Sequence, residues 1–267
     1  MDRAYGGFLS ARLLWHGMRF GLHQFVLPAF DLEVSSLPMV PRNRRLGHQA
    51  EFVFGQFIKA SKRYSVIADS IQLTGQNRTL GELDYIIHDL ELEQFLHVEL
   101  TYKFYLLDKS ISERLEQLVG PNRSDTFVKK LTKIKEKQLP LLYSDASREV
   151  LKKYAIDPDE IEQRVAFYGH VFTPIDDVSF DIEGLDPHCV AGVWVCSDDF
   201  DATRFGNSTF YLPSKSEWLH LPHKDQEWIK YKDVRLLIEP ALDKNRSSML
   251  WVRSADDVIT KLFVTFE

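Results

Sequence analysis

Residues 81–107 read GELDYIIHDLELEQFLHVELTYKFYLL. Two runs rich in β-branched and aromatic residues, Glu82–Asp89 and Gln94–Leu107, flank a short acidic turn, which is the pattern of an antiparallel strand pair. Side chains alternate between the two faces of a strand. On the second run Val98, Leu100, Tyr102 and Phe104 therefore share one face, expected to be the buried one. His97, Glu99, Thr101 and Lys103 share the other. On the first run Glu82, Asp84 and Ile86 point one way. If the runs pair as a hairpin, Asp84 and Glu99 meet on a common polar face with Lys103 nearby. Carboxylates are depleted in strands and rarely buried, so two of them set into apolar runs ask for a reason. Such a pair can hold one or two Mg²⁺ (or Mn²⁺) ions, hard cations that take carboxylate oxygens and keep several waters. A lysine beside them can position water or offset phosphate charge. The chemistry implied is metal-dependent phosphodiester hydrolysis. A simpler origin stays open for each residue: a solvated strand acid, or a lysine that snorkels from the sheet edge.

Working outward, residues 46–62 read as an amphipathic helix, with Ala50, Val53, Phe54, Phe57 and Ile58 on one stripe and Glu51 at its border. Ser65–Leu73 is a strand, joined to the next by a turn around Gly75, Asn77 and Gly81. Past the turn at Gly120-Pro121-Asn122, Ser124 or Asp125 caps a helix that runs to about Gln138 with a Phe127, Leu131, Ile134, Gln138 stripe. Residues 145–166 look helical, with a break at Asp157-Pro158, and Val165–Thr173 is another strand. Residues 8–30 carry helical spacing at Leu9, Leu13, Leu14 and Met18. From Val190 onward come short apolar runs: Val190–Cys196, Ser208–Leu212, Val234–Ile238, Met249–Val252 and Lys261–Phe266. The order of elements fits a mixed central sheet flanked by helices. It divides into an N-terminal helical segment (1–40), a core (41–175) and a β-rich C-terminal extension (176–267).

Composition narrows the class. The 267 residues carry 33 Lys and Arg against 39 Asp and Glu, a net charge of −6, which argues against a bulk nucleic-acid coat. Locally the balance reverses. Six basic residues (Arg123, Lys129, Lys130, Lys133, Lys135, Lys137) stand against two acids between 123 and 137, and Arg42, Arg44 and Arg45 form a second patch. Beside a metal site such residues contact phosphates; otherwise they form a solvated helix face. The two cysteines, Cys189 and Cys196, have no zinc-ligand spacing with His188 and suggest a reducing compartment. No run of about 18 apolar residues occurs and the first twenty residues lack the layout of a signal peptide, so a cytoplasmic protein is expected. There is no P-loop, no G-x-G-x-x-G and no nucleophile elbow.

The order Asp84, then Glu99 fifteen positions on, then lysine resembles the PD-(D/E)XK nuclease superfamily, whose α-β-β-β-α-β core is close to the one drawn above. That resemblance implies Glu51 as an accessory helix-borne acid, with Asp84 and Glu99 as metal ligands and Lys103 acting on water or phosphate. Thr101 stands where the superfamily has its lysine; Lys103 lies two residues further on, and Lys129 or Lys130 of the helix is the other source. A longer resemblance runs through RLGHQAEF (45–52), TLGELDYII (79–87), HVELTYKFYL (97–106), VGPNRSDTFVKKL (119–131) with KQL (137–139), FYGHVF (167–172) and GVW (192–194). It is similar to the bacterial family catalogued as domain of unknown function 1853, grouped with the same fold. Together these imply a Mg-dependent nuclease, with DNA favoured as substrate and Arg123, Lys129, Lys130 and Lys133 as phosphate contacts. The alternative is a nuclease fold without cleavage that binds nucleic acid or another protein.

Overall fold

A computed structural model describes residues 3–28, 36–41, 44–75 and 78–266; Arg42 and Asn77 lie outside them. The chain opens with helix α1 (Arg3–Ser10), followed by three two-residue strands, β1 (Arg12–Leu13), β2 (Met18–Arg19) and β3 (Leu22–His23). The helix expected across 8–30 is thus short and lies further toward the N-terminus; Gly17 and Gly21 take left-handed φ of 64° and 69° where the chain turns back between the strands. Then come α2 (Leu46–Ala60) and a meander of β4 (Tyr64–Gly75), β5 (Arg78–Asp89) and β6 (Gln94–Leu107). Next are β7 (Leu118–Val119), α3 (Phe127–Lys133), α4 (Asp145–Leu151) and β8 (Glu162–Pro174). The last third holds β9 (Val190–Cys196), α5 (Ala202–Phe205), β10 (Thr209–Tyr211), β11 (Ile229–Lys230), α6 (Tyr231–Leu242), β12 (Ser248–Arg253) and β13 (Ile259–Thr265).

One mixed sheet takes up nearly all the strands, in the order β11-β10-β12-β13-β9-β8-β6-β5-β4, with β1 added to β8 and β7 to β6. The β4–β5–β6 meander is antiparallel, whereas β6–β8, β8–β9 and β9–β13 are parallel. Helices flank it, as the order of elements led us to expect. The stripe of α2 (Ala50, Val53, Phe54, Phe57, Ile58) is fully buried against Val98, Leu100, Tyr102 and Phe104. The opposite face of β6 is buried too. Tyr105 and Leu107 pack with Phe127, Leu131 and Ile134 of the α3 segment, and His97, Glu99 and Thr101 are all under 4 % exposed. The face expected to be polar and open is therefore polar and covered, because β6 lies centrally in the sheet with helices on both sides.

Two further readings change. Val234–Ile238 belongs to α6, whose Val234, Ile238 and Leu242 lie on the sheet at helical spacing. The helical reading of 145–166 ends early, because β8 begins at Glu162.

The β5–β6 hairpin register is held at its turn. Asp89 pairs with Gln94 and is 1 % exposed. Its carboxylate accepts three hydrogen bonds from Arg63, the shortest 2.7 Å, and two more from the backbone N–H groups of Glu91 and Leu92. Burial alone would raise its pKa, but these donors outweigh burial and hold it below the usual carboxylate value. A depressed folded pKa means that the stabilisation is present above the unfolded value near pH 4 and is lost as pH falls through the folded one. Asp89→Asn is expected to cost about 2 kcal/mol at pH 7. The gap from wild type in urea melts should shrink as pH falls below about 4 and vanish only once pH is below the lowered folded value.

Candidate functional site

The ladder between β5 and β6 runs from Asp89↔Gln94 to Tyr85↔Val98 and stops there. The next step in that register sets Asp84 across from Glu99, at the point where the strands part. The Leu100 N–H donates to Asp84 Oδ2 at 2.8 Å, so β5 is tied to β6 by a side chain where backbone pairing ends. Strand alternation also lapses here. Leu83 and Ile86 pack in one cluster, Tyr85 and Ile87 in another, and the facing residue on β4 is Ser70, with a φ of 51°. Asp84 therefore does not share a simple face with Ile86, as strict period-two reading had it.

Two carboxylates here, Asp84 and Glu51, are raised in pKa, with Glu99 and Glu82 among the charges that act on them. Asp84 is raised well above the ordinary aspartate value, first by burial, then by Glu99, with Glu51 and Glu82 adding to it and the Leu100 amide opposing. Glu51 is raised as well, by burial and by Glu82 and Glu99, against His48 and Arg44. Glu51 arrives on α2, which is fixed over β5 where the Tyr85 hydroxyl donates to the Glu51 carbonyl and the Tyr85 ring lies against Gly55.

Glu99 is held by a chain of hydrogen bonds. Gln163 Nε2 donates to the Leu139 carbonyl and to His97 Nδ1. That leaves the His97 proton on Nε2, which donates to Glu99 Oε1 at 2.9 Å. The other oxygen, Oε2, accepts from Gln138 Nε2 at 2.5 Å. Gln138 Oε1 in turn accepts from Lys130 Nζ at 2.7 Å. Gln138 reaches this position because the helix loosens. Thr126, rather than Ser124 or Asp125, caps α3, and after Lys133 one π turn (Ile134–Gln138) closes with the Leu139 N–H on the Ile134 carbonyl. Such turns rotate the following side chains and recur at functional sites. Lys130 sits beside both acids, partly buried. Burial and the nearby Lys133 and Lys103 bring its ammonium down to about 8, while Asp84 and Glu99 pull the other way.

A model of the family described as Domain of unknown function (DUF1853) matches residues 23–260. The chain belongs to this family. No curated protein and no solved structure matches it. In this DUF1853 chain the structure brings Asp84, Glu99 and Glu51 together and adds Lys130, named beforehand as one source of the lysine. Gln138 was on the expected stripe, and its position one turn past the lysines was the only signal for it. Lys103, near enough to Lys130 to lower its pKa, makes a 2.7 Å ion pair with Asp125 and lines a cavity under the first turn of α2. Thr101, at the position expected for lysine, is buried, and among the described residues its hydroxyl finds no hydrogen-bond partner. Arg123 bonds Asp108, while Lys129 and Lys133 are exposed. Asn122 accepts from the Ser247 N–H and is a structural turn residue. Cys189 is buried and neither cysteine is in a disulfide. No helix among the described residues is long and apolar enough to cross a membrane.

Proposed function

We propose that this chain hydrolyses phosphodiester bonds of nucleic acid at the Asp84–Glu99 pair, on a PD-(D/E)XK-like core. The observation that carries the reading is the pair itself: two carboxylates, with Glu51 and Glu82 close by, gathered where two strands part, against the burial and then the charge repulsion that raise Asp84. Like charges are brought together at a cost, and functional sites are where such costs are retained.

The donor set fits a hard divalent cation. Among the described residues no three His, Cys, Asp or Glu side chains form a metal-holding group, but Mg²⁺ commonly takes one or two carboxylates and completes its shell with water and substrate phosphate. Asp84 and Glu99 would hold it. When bound, such an ion polarises the phosphate and acidifies water. The chain's own residues do the rest. His97 and Gln138 fix the plane of the Glu99 carboxylate. Lys130 presents an ammonium toward the same acids, where it offsets charge on a phosphate. Glu51 is an accessory acid. The direct test is cleavage of single- and double-stranded DNA, then RNA, with Mg²⁺ or Mn²⁺, by wild type beside Asp84→Asn and Lys130→Met. Cleavage that the variants retain, or none by wild type, overturns the reading.

One observation favours a second reading, a fold that binds without cutting: both Glu99 oxygens already have protein partners. Binding without cleavage at any Mg²⁺ or Mn²⁺ concentration selects it. Both readings use the exposed lysines of α3 as phosphate contacts. Lys129→Gln/Lys133→Gln is expected to weaken binding and to flatten the log K against log salt slope by about 1–2, as for one or two lost phosphate contacts. Fluorescence anisotropy across a salt series measures it.

A further inference from the structure

A concave feature lies at the first turn of α2, the helix that carries Glu51. A cavity of about 800 Å³ opens between the first turn of α2, the outer half of β6, the 120–125 turn and residues 215–218. That volume is within the range of small-molecule sites. Arg44, Arg45, Lys103 and Lys215 line it, against the single carboxylate of Asp125, which Lys103 already engages. Tyr102, Phe104 and Trp218 form its apolar part.

The basic side chains outnumber the acids here, although Lys103 is paired with Asp125, Lys215 Nζ lies 5.6 Å from the centre of the Trp218 ring, and Arg44 acts on Glu51. Helix α2 begins without a side-chain cap and has no acid in its first turn, although helix N-termini carry partial positive charge and favour acids. Two arginines stand there instead. Gly47 leaves its backbone open: a Cβ built on it would meet only Glu51 Oε1, at 3.9 Å. The first turn of a helix without a side-chain cap, two arginines and a lysine line one cavity, an arrangement that suits a dianionic phosphate. Trp218, 7 % exposed and with Lys215 over its ring, gives the cavity an apolar edge that a planar group attached to the phosphate would meet as that lysine swings to the anion. Glu51, four residues after Gly47, places the acid cluster one turn further along the same helix.

We propose that this cavity binds a nucleoside monophosphate unit, its phosphate between Arg44, Arg45 and Lys215 and its base toward Trp218. The choice of a nucleotide over other phosphate esters rests on the nuclease reading. The unit is either a free nucleotide or the 5′-phosphorylated end of a strand.

The test uses the full chain in EDTA, where the metal-dependent reaction is silent. Isothermal titration with dAMP, deoxyadenosine and inorganic phosphate is compared in wild type and in Arg45→Gln/Lys215→Gln, both exposed positions. We expect dAMP to bind at least about tenfold more tightly than either deoxyadenosine or phosphate, and the double variant to lose most of that gain. Equal affinity for the three probes, no dAMP binding up to roughly millimolar concentration, or binding indifferent to the double variant overturns the proposal. Of two short thymidine oligonucleotides, tighter binding of the 5′-phosphorylated one than of its 5′-hydroxyl counterpart assigns the site to strand ends. Tight dAMP binding with equal oligonucleotide affinities assigns it to free nucleotide. Cleavage without dAMP binding would leave the nuclease reading intact and remove this one; dAMP binding without cleavage does the reverse.

Discussion

Asp84→Asn and Glu99→Gln are each expected to lower Mg²⁺-dependent cleavage by on the order of 10²–10³-fold, while moving thermal stability in opposite directions. Both substitutions remove a charge and keep the shape, so both remove a ligand from the proposed cation. Their structural effects differ because the environments differ. Asp84 is crowded by Glu99, Glu51 and Glu82 and accepts one backbone hydrogen bond that an asparagine oxygen can also accept. A carboxyl whose folded pKa is raised favours folding below its unfolded value and loses that contribution as pH rises. At pH 8 without metal, Asp84→Asn removes this cost. Relief of facing like charges is worth up to about 1 kcal/mol, or about 2–4 °C in Tm for a chain of this size. Glu99 instead accepts from two donors, His97 and Gln138, on separate oxygens. Glutamine offers one oxygen and sets an N–H₂ against the other donor, which costs about 1–3 kcal/mol. Differential scanning fluorimetry in EDTA beside a cleavage assay reads both signs. A stable, inactive Asp84→Asn would separate the chemistry from the fold. If the two variants move Tm the same way, the hydrogen-bond arrangement around Glu99 is wrong.

The parts of this site that strand periodicity reports could be read from the residues. Gln94–Leu107 and Val190–Cys196 are strands over the expected residues, since long runs of β-branched and aromatic residues leave little choice. That Asp84 and Glu99 come near one another follows from a short turn between two such runs, although the ladder itself ends one step earlier, at Tyr85↔Val98. What failed were inferences from alternation to exposure. A polar face reads as solvated, yet here His97, Glu99 and Thr101 are covered by the α3 segment, and nothing local to β6 announces that cover. Lys103 and the helix both offer a lysine because nothing local to β6 shows how α3 lies over the sheet, and Gln138 reaches Glu99 through a π turn whose Ile134 and Leu139 pack in the core. Val234–Ile238 is too short an apolar run for periodicity to separate strand from helix. The cavity is assembled from segments up to about 170 residues apart, from Arg44 to Trp218, and no motif marks it.

Gly7→Ala is expected to destabilise the chain by about 3 kcal/mol or more, whereas Gly6→Ala, one residue earlier in the same helix, should be neutral or slightly stabilising. The contrast follows from what each added methyl would meet. On Gly7 it would come to 1.6 Å from the Leu219 carbonyl oxygen and 2.7 Å from its carbon. On Gly6 it would meet only the tip of the Leu221 side chain, at 3.0 Å. A leucine tip can rotate away, and an exchange of helical glycine for alanine then returns up to about 1 kcal/mol of backbone entropy. The carbonyl cannot withdraw, because the segment that carries it is pinned on both sides. Gln49 of α2 donates to the Ser216 carbonyl and meets His220 Nε2, each at 3.0 Å, and Arg3 donates to the Leu221 carbonyl at 3.1 Å. Trp218 and Leu219 share one buried cluster with Tyr5, Phe8, Phe54 and Phe57. To make room, Gly7→Ala must lift α1 from this cluster, and with it the floor on which α2 carries Glu51 and the rim of the cavity. Urea melts of the two variants measure the difference. Equal midpoints would mean that α1 does not rest on residues 218–221. A low midpoint for Gly7→Ala alone, accompanied by weaker dAMP binding, would tie the packing of α1 to the geometry of the cavity some forty residues away along the chain.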